Sequence, residues 1–249
     1  MGAFTGIITL GLSIAGTVAA DYWDWQLTEP YDLNVNVRLL VMEADDHSAA
    51  DIAALKARGV TPICYLSVGT WEDFRDDANQ FPESVLGKQL SNWPGERYLD
   101  IRQRDVLLPI MAVRIAGCAA KGFEGIEPDN MDLYENDNGF GITRADALAY
   151  LHPLAAYAKR LGLEVIQKNA PELVPDLVHS FDRALVEECF QYGFCEDYLP
   201  YIEAGKDVLA VEFAESGQDW KAICSEAKQL GFHLLLKEKE VVAGGARCR

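Results

Sequence analysis

Two carboxylates at alternate positions near the end of an apolar segment are the clearest chemical feature of this sequence. Residues 122–132 read Gly-Phe-Glu-Gly-Ile-Glu-Pro-Asp-Asn-Met-Asp, with Glu127 and Asp129 closing the apolar run. Alternate residues of a strand point to the same side, so we expect this segment to deliver both acids to one site. The alternative is that the two acids only cap the loop and helix that follow.

Other apolar segments along the chain also end in polar or charged residues, which favours a functional site over simple capping. Eight short apolar segments alternate mostly with helical patterns, which predicts a parallel sheet closed into an α/β fold, the (β/α)8 TIM barrel, over residues 21–249. Active sites of such barrels lie at the C-terminal ends of the strands. Polar or charged side chains gather at the predicted strand ends: Asp24, Glu43, Ser67, Asp129, Lys168, Glu187, Glu212 and Lys237.

The elements that must position these side chains follow from apolar periodicity and turn residues. Strands are predicted at residues 22–27, 35–42, 61–68, 123–127, 163–167, 184–186, 207–211 and 232–236. Helices are predicted at residues 48–58, 105–121, 143–161, 196–204 and 220–230, with a short one through 173–177 and a kink at Pro153. Residues 70–105 are predicted to be a functional loop with short elements, whose aromatic side chains either wall a groove or pack the loop onto its scaffold.

Several other chemistries find no support. A doubly wound open sheet is the alternative fold, but no GxGxxG or GxxxxGK[ST] follows a predicted strand, so no nucleotide cofactor is expected. There is no GxSxG for a serine nucleophile. The four histidines lie away from the strand ends, which argues against histidine acid catalysis and zinc hydrolysis: His47, His152, His179 and His233.

Two carboxyl groups that face one pocket between aromatic walls are what glycoside hydrolysis requires, because one acts as nucleophile or base and the other protonates the leaving oxygen. Asp129 and Glu187 are the candidates, since they end the fourth and sixth predicted strands and face each other across part of the barrel mouth. Lys168 ends the fifth strand. It either keeps a neighbouring carboxylate ionised or forms only a structural ion pair.

The charge balance restricts the partners. With 22 basic and 39 acidic residues, the net charge is −17, which argues against nucleic acid and anionic membranes as ligands. A cationic ligand or polymer is attracted by such a surface, although the charge also serves solubility alone. No obligate protein partner is evident.

The first twenty residues carry no charged side chain, include an apolar stretch over residues 7–18, and end Val-Ala-Ala before Asp21. This pattern predicts a secretory signal peptide over residues 1–20 and an extracellular protein. The alternative is an uncleaved N-terminal anchor that keeps the protein at the surface.

Six cysteines, an even number, suit an exported chain and can pair in fifteen ways. Cys189 and Cys195 bracket a short loop and are expected to form a local bridge. Cys64 is expected to face the covering helices and so can meet Cys118, which leaves Cys224 with Cys248. The spacing is not that of a zinc site.

Three segments of the chain resemble glycoside hydrolase family 114. Residues 64–75 contain Cys-Tyr-Leu-Ser-Val-Gly followed by Trp-Glu-Asp-Phe-Arg, residues 93–102 read Trp-Pro-Gly-Glu-Arg-Tyr-Leu-Asp-Ile-Arg, and residues 125–130 read Gly-Ile-Glu-Pro-Asp-Asn. Residues 168–169, 187–190 and 211–213 are similar to the later motifs of the family. The resemblance spans nearly the whole of residues 21–249. After Asn130, this chain departs mildly from the pattern, which has a valine and a small residue there.

The resemblance implies a secreted TIM-barrel endo-α-1,4-polygalactosaminidase that cuts internal bonds in galactosamine-containing polysaccharide, such as galactosaminogalactan. It places the catalytic aspartate on Asp129 and the catalytic glutamate on Glu187. A partly deacetylated polymer is cationic and suits the acidic chain. Candidate substrate-binding residues are Asp24, Tyr65, Glu72, Glu127, Asn130, Asp132, Lys168, Asn169, Tyr192 and Glu212.

Two other functions remain open at the level of sequence. One is a catalytically silent barrel that captures cationic polysaccharide, and the other is a hydrolase of another amino sugar or of an α-galactoside. A metal site at Glu127, Asp129 and Asp132 is a weaker hypothesis, because the residues that follow do not complete a calcium loop. No metal or other cofactor is therefore expected.

Overall fold

The computed structural model describes residues 21–248, so the predicted signal peptide lies outside the described residues. Twelve strands and seven α-helices follow one another along this part of the chain. The strands are β1 (Asp21–Gln26), β2 (Val37–Glu43), β3 (Thr61–Ser67), β4 (Thr70–Glu72), β5 (Leu86–Gln89), β6 (Glu96–Leu99), β7 (Gly125–Asp129), β8 (Glu164–Lys168), β9 (Arg183–Glu187), β10 (Val208–Phe213), β11 (His233–Lys237) and β12 (Ala246–Arg247). The helices are α1 (Ala49–Ala57), α2 (Arg104–Lys121), α3 (Arg144–Arg160), α4 (Val174–Leu177), α5 (Cys189–Tyr192), α6 (Leu199–Glu203) and α7 (Trp220–Leu230).

Eight of the strands form a parallel barrel, as the sequence predicts. Their order in the sheet is the order along the chain, β1-β2-β3-β7-β8-β9-β10-β11, and each neighbouring pair is parallel. Side chains join the first strand to the last, because Trp23 Nε1 donates to the carbonyl of His233 at 2.8 Å and Lys237 Nζ lies 2.9 Å from Asp24 Oδ1. The short strand β12 adds antiparallel to β11.

Alternation along the strands divides the core in two. One set of apolar side chains fills the barrel interior: Trp23, Trp25, Leu39, Val41, Ile63, Ile166, Leu185, Leu209, Val211, Phe213 and Leu235. The intervening residues, such as Leu40, Cys64 and Val165, pack outward against the helices. Continuing the inner series by two residues from Ile166 and Leu185 reaches Lys168 and Glu187, so the interior of the barrel becomes polar at its C-terminal mouth.

The helices α1, α2, α3 and α7 begin within one residue of their predicted starts, whereas α6 begins at Leu199 after a 3-10 turn and α5 was not predicted. Ser48 caps α1 and Thr143 caps α3, each in a capping box with an acid three residues later. The helix α3 continues through Pro153 as one element. Within residues 21–248, none of the helices is long and apolar enough to cross a membrane.

Several strand ends differ from the prediction in the same way. Apolar periodicity ends the fourth, seventh and eighth strands at residues 127, 211 and 236, whereas the hydrogen-bonded ladders continue to Asp129, Phe213 and Lys237. The difference has a physical cause: backbone pairing continues after the side chains turn polar towards the mouth. Strand β12 was not predicted, because its two residues carry no apolar pattern.

The connection after β3 forms a small sheet of its own. Strands β4, β6 and β5 pair antiparallel in that order and give the predicted loop a regular core. We call residues 70–99 the inserted sheet. It follows directly from β3, so it stands at the C-terminal mouth of the barrel.

Three disulfides join the expected cysteines. Cys64 of β3 bonds Cys118 of α2, Cys189 bonds Cys195 across the α5 turn, and the third bond joins Cys224 of α7 to Cys248. The first closes a loop of 54 residues and the second a loop of 6 residues.

Loop length predicts that the Cys64–Cys118 and Cys189–Cys195 bonds contribute differently to the free energy of unfolding. In the chain-entropy description, a crosslink over 54 residues stabilises by about 4 kcal/mol and one over 6 residues by about 2 kcal/mol. We therefore expect the pair Cys64→Ala and Cys118→Ala to lower the free energy of unfolding by roughly 2 kcal/mol more than the pair Cys189→Ala and Cys195→Ala. Guanidinium unfolding of both double variants measures this difference. An equal loss in the two variants would contradict it.

Candidate active site

A buried lysine lies at the centre of the barrel mouth and contacts three carboxylates. Lys168 Nζ lies 2.9 Å from Glu187 Oε2, 3.1 Å from Asp129 Oδ1 and 3.7 Å from Glu127 Oε1. Its side chain is only 3% exposed, whereas those of Asp129 and Glu187 are 19% and 24% exposed. The lysine thus lies beneath two carboxylates that face solvent.

The shared lysine also limits the distance between the two exposed carboxylates. Asp129 Oδ1 and Glu187 Oε2 both contact Nζ, so these oxygens lie no more than 6.0 Å apart. Three adjacent parallel strands, β7, β8 and β9, supply the three side chains. Each of these residues ends its strand, so the three side chains converge at the mouth of the barrel.

Asp129 is held on both of its carboxylate oxygens. Oδ1 accepts from the backbone N–H of Asn130 at 2.7 Å and contacts Lys168, while Oδ2 accepts from the hydroxyl of Tyr65 at 3.0 Å. Tyr65 lies on β3, the neighbour of β7. These donors fix the orientation of the carboxylate.

Glu187 is held by a two-way contact with Asn169. The Asn169 amide donates to Glu187 Oε2 at 2.8 Å, and its carbonyl oxygen accepts from the backbone N–H of Glu187 at 2.9 Å. Asn169 has φ 44°, and Asn130, which follows Asp129, has φ 60°. Asparagine tolerates this left-handed conformation better than most residues, and here it turns the chain sharply as β7 and β8 end.

Glu127 lies deeper than the other acids and is fully buried. Its Oε2 accepts from Trp25 Nε1 at 3.1 Å, and the same indole ring lies 4.9 Å from Lys168 Nζ. Burial raises the pKa of Glu127 to about 8, against the opposing effect of Lys168. The charges of Asp129 and Glu187 add to the effect of burial, so Glu127 holds a proton at neutral pH.

Two further acids lie near Asp129. Burial is the main cause that raises the pKa of Asp132 to about 6, and the charge of Asp129 adds to it. Burial also raises the pKa of Glu96 to about 7, with the charge of Glu72 as the next cause. No role for Glu96 follows from the sequence pattern, although this residue belongs to segment 93–102, which carries part of the family resemblance. Its position on β6 opposite Glu72 became evident only in the inserted sheet.

The structure does not bring every predicted binding residue to this cluster. Asp24 and Glu212 lie inside their strands on the side opposite the barrel interior, because their neighbours in sequence are the inward residues. Asp24 pairs with Lys237 and Arg247 at the joint of the first and last strands. Glu212 accepts from the backbone N–H of Phe190 at 2.9 Å and from Gln218 at 2.7 Å.

Glu72 is also occupied within the protein. It is buried and accepts from Arg75 Nε at 2.8 Å, and Arg75 also contacts Glu43 at 2.7 Å. Tyr192, by contrast, ends α5 after Glu187 and is 66% exposed. Phe74 and Trp93 of the inserted sheet are exposed as well. Exposed aromatic rings present apolar faces on which a sugar ring can stack.

Among residues 21–248, no group of three or more histidine, cysteine or acidic side chains is arranged to hold a metal ion. The lysine within the cluster already supplies the positive charge that a cation would bring. The geometry therefore suits acid and base chemistry carried by the protein's own side chains.

Known proteins are similar to this chain in fold and, more distantly, in sequence. The crystal structure of Aspergillus fumigatus Ega3 in complex with galactosamine superposes with a TM-score of 0.85 and 28% identity, covering 93% of this chain and 96% of that one. The glycoside hydrolase domain of PelA from Pseudomonas aeruginosa has the same fold, with a TM-score of 0.67 and 17% identity over 92% of this chain and 98% of that one. An uncharacterised protein of Deinococcus radiodurans is 25% identical, over 86% of this chain and 79% of that protein.

A sequence profile agrees with these similarities. The profile of glycoside-hydrolase family GH114 matches residues 13–249, which include all three strands that carry the lysine and the two exposed carboxylates. The fold, the sequence profile and the two-carboxylate mouth lead to one conclusion: this chain belongs to glycoside-hydrolase family GH114.

Proposed function

We propose that this protein is an endo-acting hydrolase of galactosamine-containing polysaccharide that cleaves α-1,4 linkages with Asp129 and Glu187. The observation that carries the proposal is the shared contact of both carboxylates with Lys168 at the barrel mouth. Two acids held this close to each other can flank one glycosidic bond, as its hydrolysis requires.

The spacing supports a retaining mechanism. Retaining enzymes place their carboxyl groups about 5–5.5 Å apart, and inverting enzymes about 6.5–9.5 Å apart to admit a water. The limit of 6.0 Å between Asp129 Oδ1 and Glu187 Oε2 lies below the inverting range. Water then enters only in the second step, after the leaving sugar has departed.

The contacts also support separate roles for the two acids. Asp129 accepts hydrogen bonds on both oxygens, which fixes the orientation of its carboxylate and suits the nucleophile that attacks the anomeric carbon. Glu187 receives its contacts from Lys168 and Asn169 on Oε2. Its Oε1 is then the oxygen that protonates the departing glycosidic oxygen and later activates water.

The galactosamine substrate is proposed from the likeness to Ega3, which was crystallised with that sugar. The net charge of −17 fits a polymer that carries free amino groups. Tyr65, Asp132 and Tyr192 remain proposed contacts for the sugar chain, because each lies near the pair or is exposed beside it. Asp24, Glu72, Glu127 and Glu212 are assigned to internal contacts instead, since each is buried and bound by protein groups.

Residues 21–249 are proposed to be a single mature domain released after removal of residues 1–20. The uncharged apolar composition of that segment supports this proposal. Three disulfides support it too, because such bonds persist in oxidising compartments outside the cytosol.

Mutation of either acid is expected to abolish cleavage. We predict that Asp129→Asn and Glu187→Gln each lower kcat on the order of 1000-fold while the thermal midpoint stays near that of the wild type. Mass spectrometry of products from galactosaminogalactan and from its deacetylated form measures this and shows which form is preferred. Glu83→Gln, on the exposed side of the inserted sheet, is the matched control and should release wild-type amounts.

Three outcomes would count against parts of this proposal. Binding without products in all proteins would indicate a silent carbohydrate-binding barrel. Products from other amino sugars or α-galactosides, and none from either galactosamine polymer, would show that the proposed substrate is wrong. Activity retained in Asp129→Asn would remove that residue from the mechanism.

The stereochemistry gives a second prediction. Because two successive displacements restore the original configuration, we expect the α-anomer to appear first in proton NMR spectra recorded within minutes of mixing. An initial β-anomer would indicate a water between the two acids and an inverting route.

The protonated state of Glu127 gives a third prediction. The folded protein holds a proton on Glu127 up to about pH 8, whereas an unfolded glutamate releases it above about pH 4.3. Unfolding therefore releases a proton in this range, and the contribution to stability is lost as pH rises. Glu127→Gln cannot ionise, so we expect its free energy of unfolding to rise relative to the wild type by a few kcal/mol between about pH 4.3 and pH 8.

Urea unfolding at three pH values within this range measures the effect of Glu127→Gln. Glu83→Gln changes an exposed acid and should follow the wild type at every pH. A constant difference between Glu127→Gln and the wild type across the range would contradict a protonated Glu127.

A further inference from the structure

A chain of hydrogen bonds links the inserted sheet to Asp129. Ser67, Thr70, Glu96 and Asn130 form it, and we call it the Thr70 relay. Thr70 Oγ1 lies 3.0 Å from Glu96 Oε2 and 2.5 Å from Ser67 Oγ. The side-chain amide of Asn130 donates to Ser67 Oγ at 2.9 Å and to Thr70 Oγ1 at 3.2 Å. The relay thus joins β3, β4, β6 and the end of β7.

When Glu96 is ionised, above its pKa of about 7, the protons in the relay have one consistent arrangement. The ionised carboxylate only accepts, so Thr70 donates its hydroxyl proton to it. Ser67 must then donate to Thr70 Oγ1, and the backbone N–H of Thr70 donates back to Ser67 Oγ at 3.1 Å. The remaining acceptor sites of both hydroxyls take the amide of Asn130. Glu96 is therefore the terminal acceptor that orders the whole relay.

The relay fixes the backbone next to Asp129. Asn130 adopts the left-handed φ of 60°, and its backbone N–H donates to Asp129 Oδ1 at 2.7 Å. The peptide of Asp129 is clamped from the other side, because the backbone N–H groups of Val68 and Gly69 lie 3.0 Å and 3.3 Å from its carbonyl oxygen.

Gly69 shows how tight this junction is. A Cβ atom placed on Gly69 would lie 1.9 Å from the carbonyl oxygen of Asn130, so the two backbones meet with no room for a side chain. The segment between β3 and β4 therefore approaches Asp129 as closely as a polypeptide can. The relay supplies the polar contacts at this meeting point.

We propose that Thr70 and Glu96 are positioning residues that orient the carboxylate of Asp129 through Asn130. The proposal rests on the catalytic role proposed for Asp129. Ser67 and Thr70 are fully buried, so neither can touch a sugar. The amide nitrogen of Asn130 donates to both hydroxyls of the relay, which assigns Asn130 to orientation of the neighbouring acid. The inserted sheet thereby becomes a structural support for the catalytic acid.

A matched pair of substitutions at Thr70 tests the proposal. Thr70→Val keeps the shape but removes the hydroxyl, and we expect kcat to fall about 10-fold to 100-fold with KM within about twofold of the wild type. Thr70→Ser restores the hydroxyl and should return kcat to within about threefold of the wild type. Steady-state kinetics on deacetylated galactosaminogalactan, with thermal midpoints recorded for each variant, measures the split.

A second pair at Glu96 keeps the test informative if Thr70→Val does not fold. Glu96→Gln retains an acceptor oxygen for Thr70, whereas Glu96→Leu does not. We expect Glu96→Leu to resemble Thr70→Val and Glu96→Gln to stay within a few-fold of the wild type. Glu83→Gln, in the same inserted sheet, is the control and should match the wild type.

Several results would overturn the positioning role. These are wild-type kcat in Thr70→Val or Glu96→Leu, an effect on KM alone, or a Thr70→Ser variant as slow as Thr70→Val. Asp129→Asn is measured beside them to separate this proposal from the proposed function. If Asp129→Asn is inactive and the relay variants are normal, only the relay is wrong. If Asp129→Asn is active, the catalytic role proposed for Asp129 is wrong, and the positioning role that rests on it is wrong as well.

Discussion

The charge of Lys168 is the interaction on which the site depends. A single buried ammonium contacts three carboxylates, and its distances increase from Glu187 to Asp129 to Glu127. Burial alone disfavours the charged lysine, but these carboxylates raise its pKa well above the ordinary value. The two exposed acids are thereby held together at the barrel mouth, and the deepest acid keeps a proton. Removing the lysine would leave the carboxylates facing one another with no positive charge between them.

The barrel supplies the positions that this charge cluster needs. Strands β7, β8 and β9 are parallel neighbours, so their last inward residues meet at the mouth. Beneath them, Trp25 donates to Glu127 and presents its ring to Lys168. The same inward series that is apolar at Ile166 and Leu185 becomes polar two residues later. Core packing and site geometry are therefore consequences of one alternation along the strands.

Residues outside the barrel strands hold the acids in place. Asn130 and Asn169 adopt left-handed conformations as β7 and β8 end, and each donates to a carboxylate of the pair, Asn130 from its backbone and Asn169 from its side chain. The inserted sheet adds the Thr70 relay behind Asp129. Cys189 and Cys195 tie the turn that carries Tyr192 directly after Glu187. The mouth thus combines strand ends with short, constrained connections.

The sequence by itself determined the fold class, because eight apolar segments separated by helices admit few arrangements other than a parallel barrel. It also indicated the paired acids, because strand ends are readable from residue spacing. It favoured the three disulfide pairs, but only the structure selects them among the fifteen possible pairings. The exact strand ends near Asp129 and Glu212 could not be predicted from the sequence, because apolar periodicity stops before backbone pairing does.

Only the tertiary structure decided which polar residues meet. It separates Asp24 and Glu212 from the cluster, because each faces away from the barrel interior, and it assigns Glu72 to Arg75. It also places Glu96 and Thr70 in the relay behind Asp129. Both residues lie far from Asp129 along the chain and approach it only through the pairing of the inserted sheet. Contacts between segments distant in sequence depend on how elements pack in three dimensions. Local patterns of residues do not predict that packing.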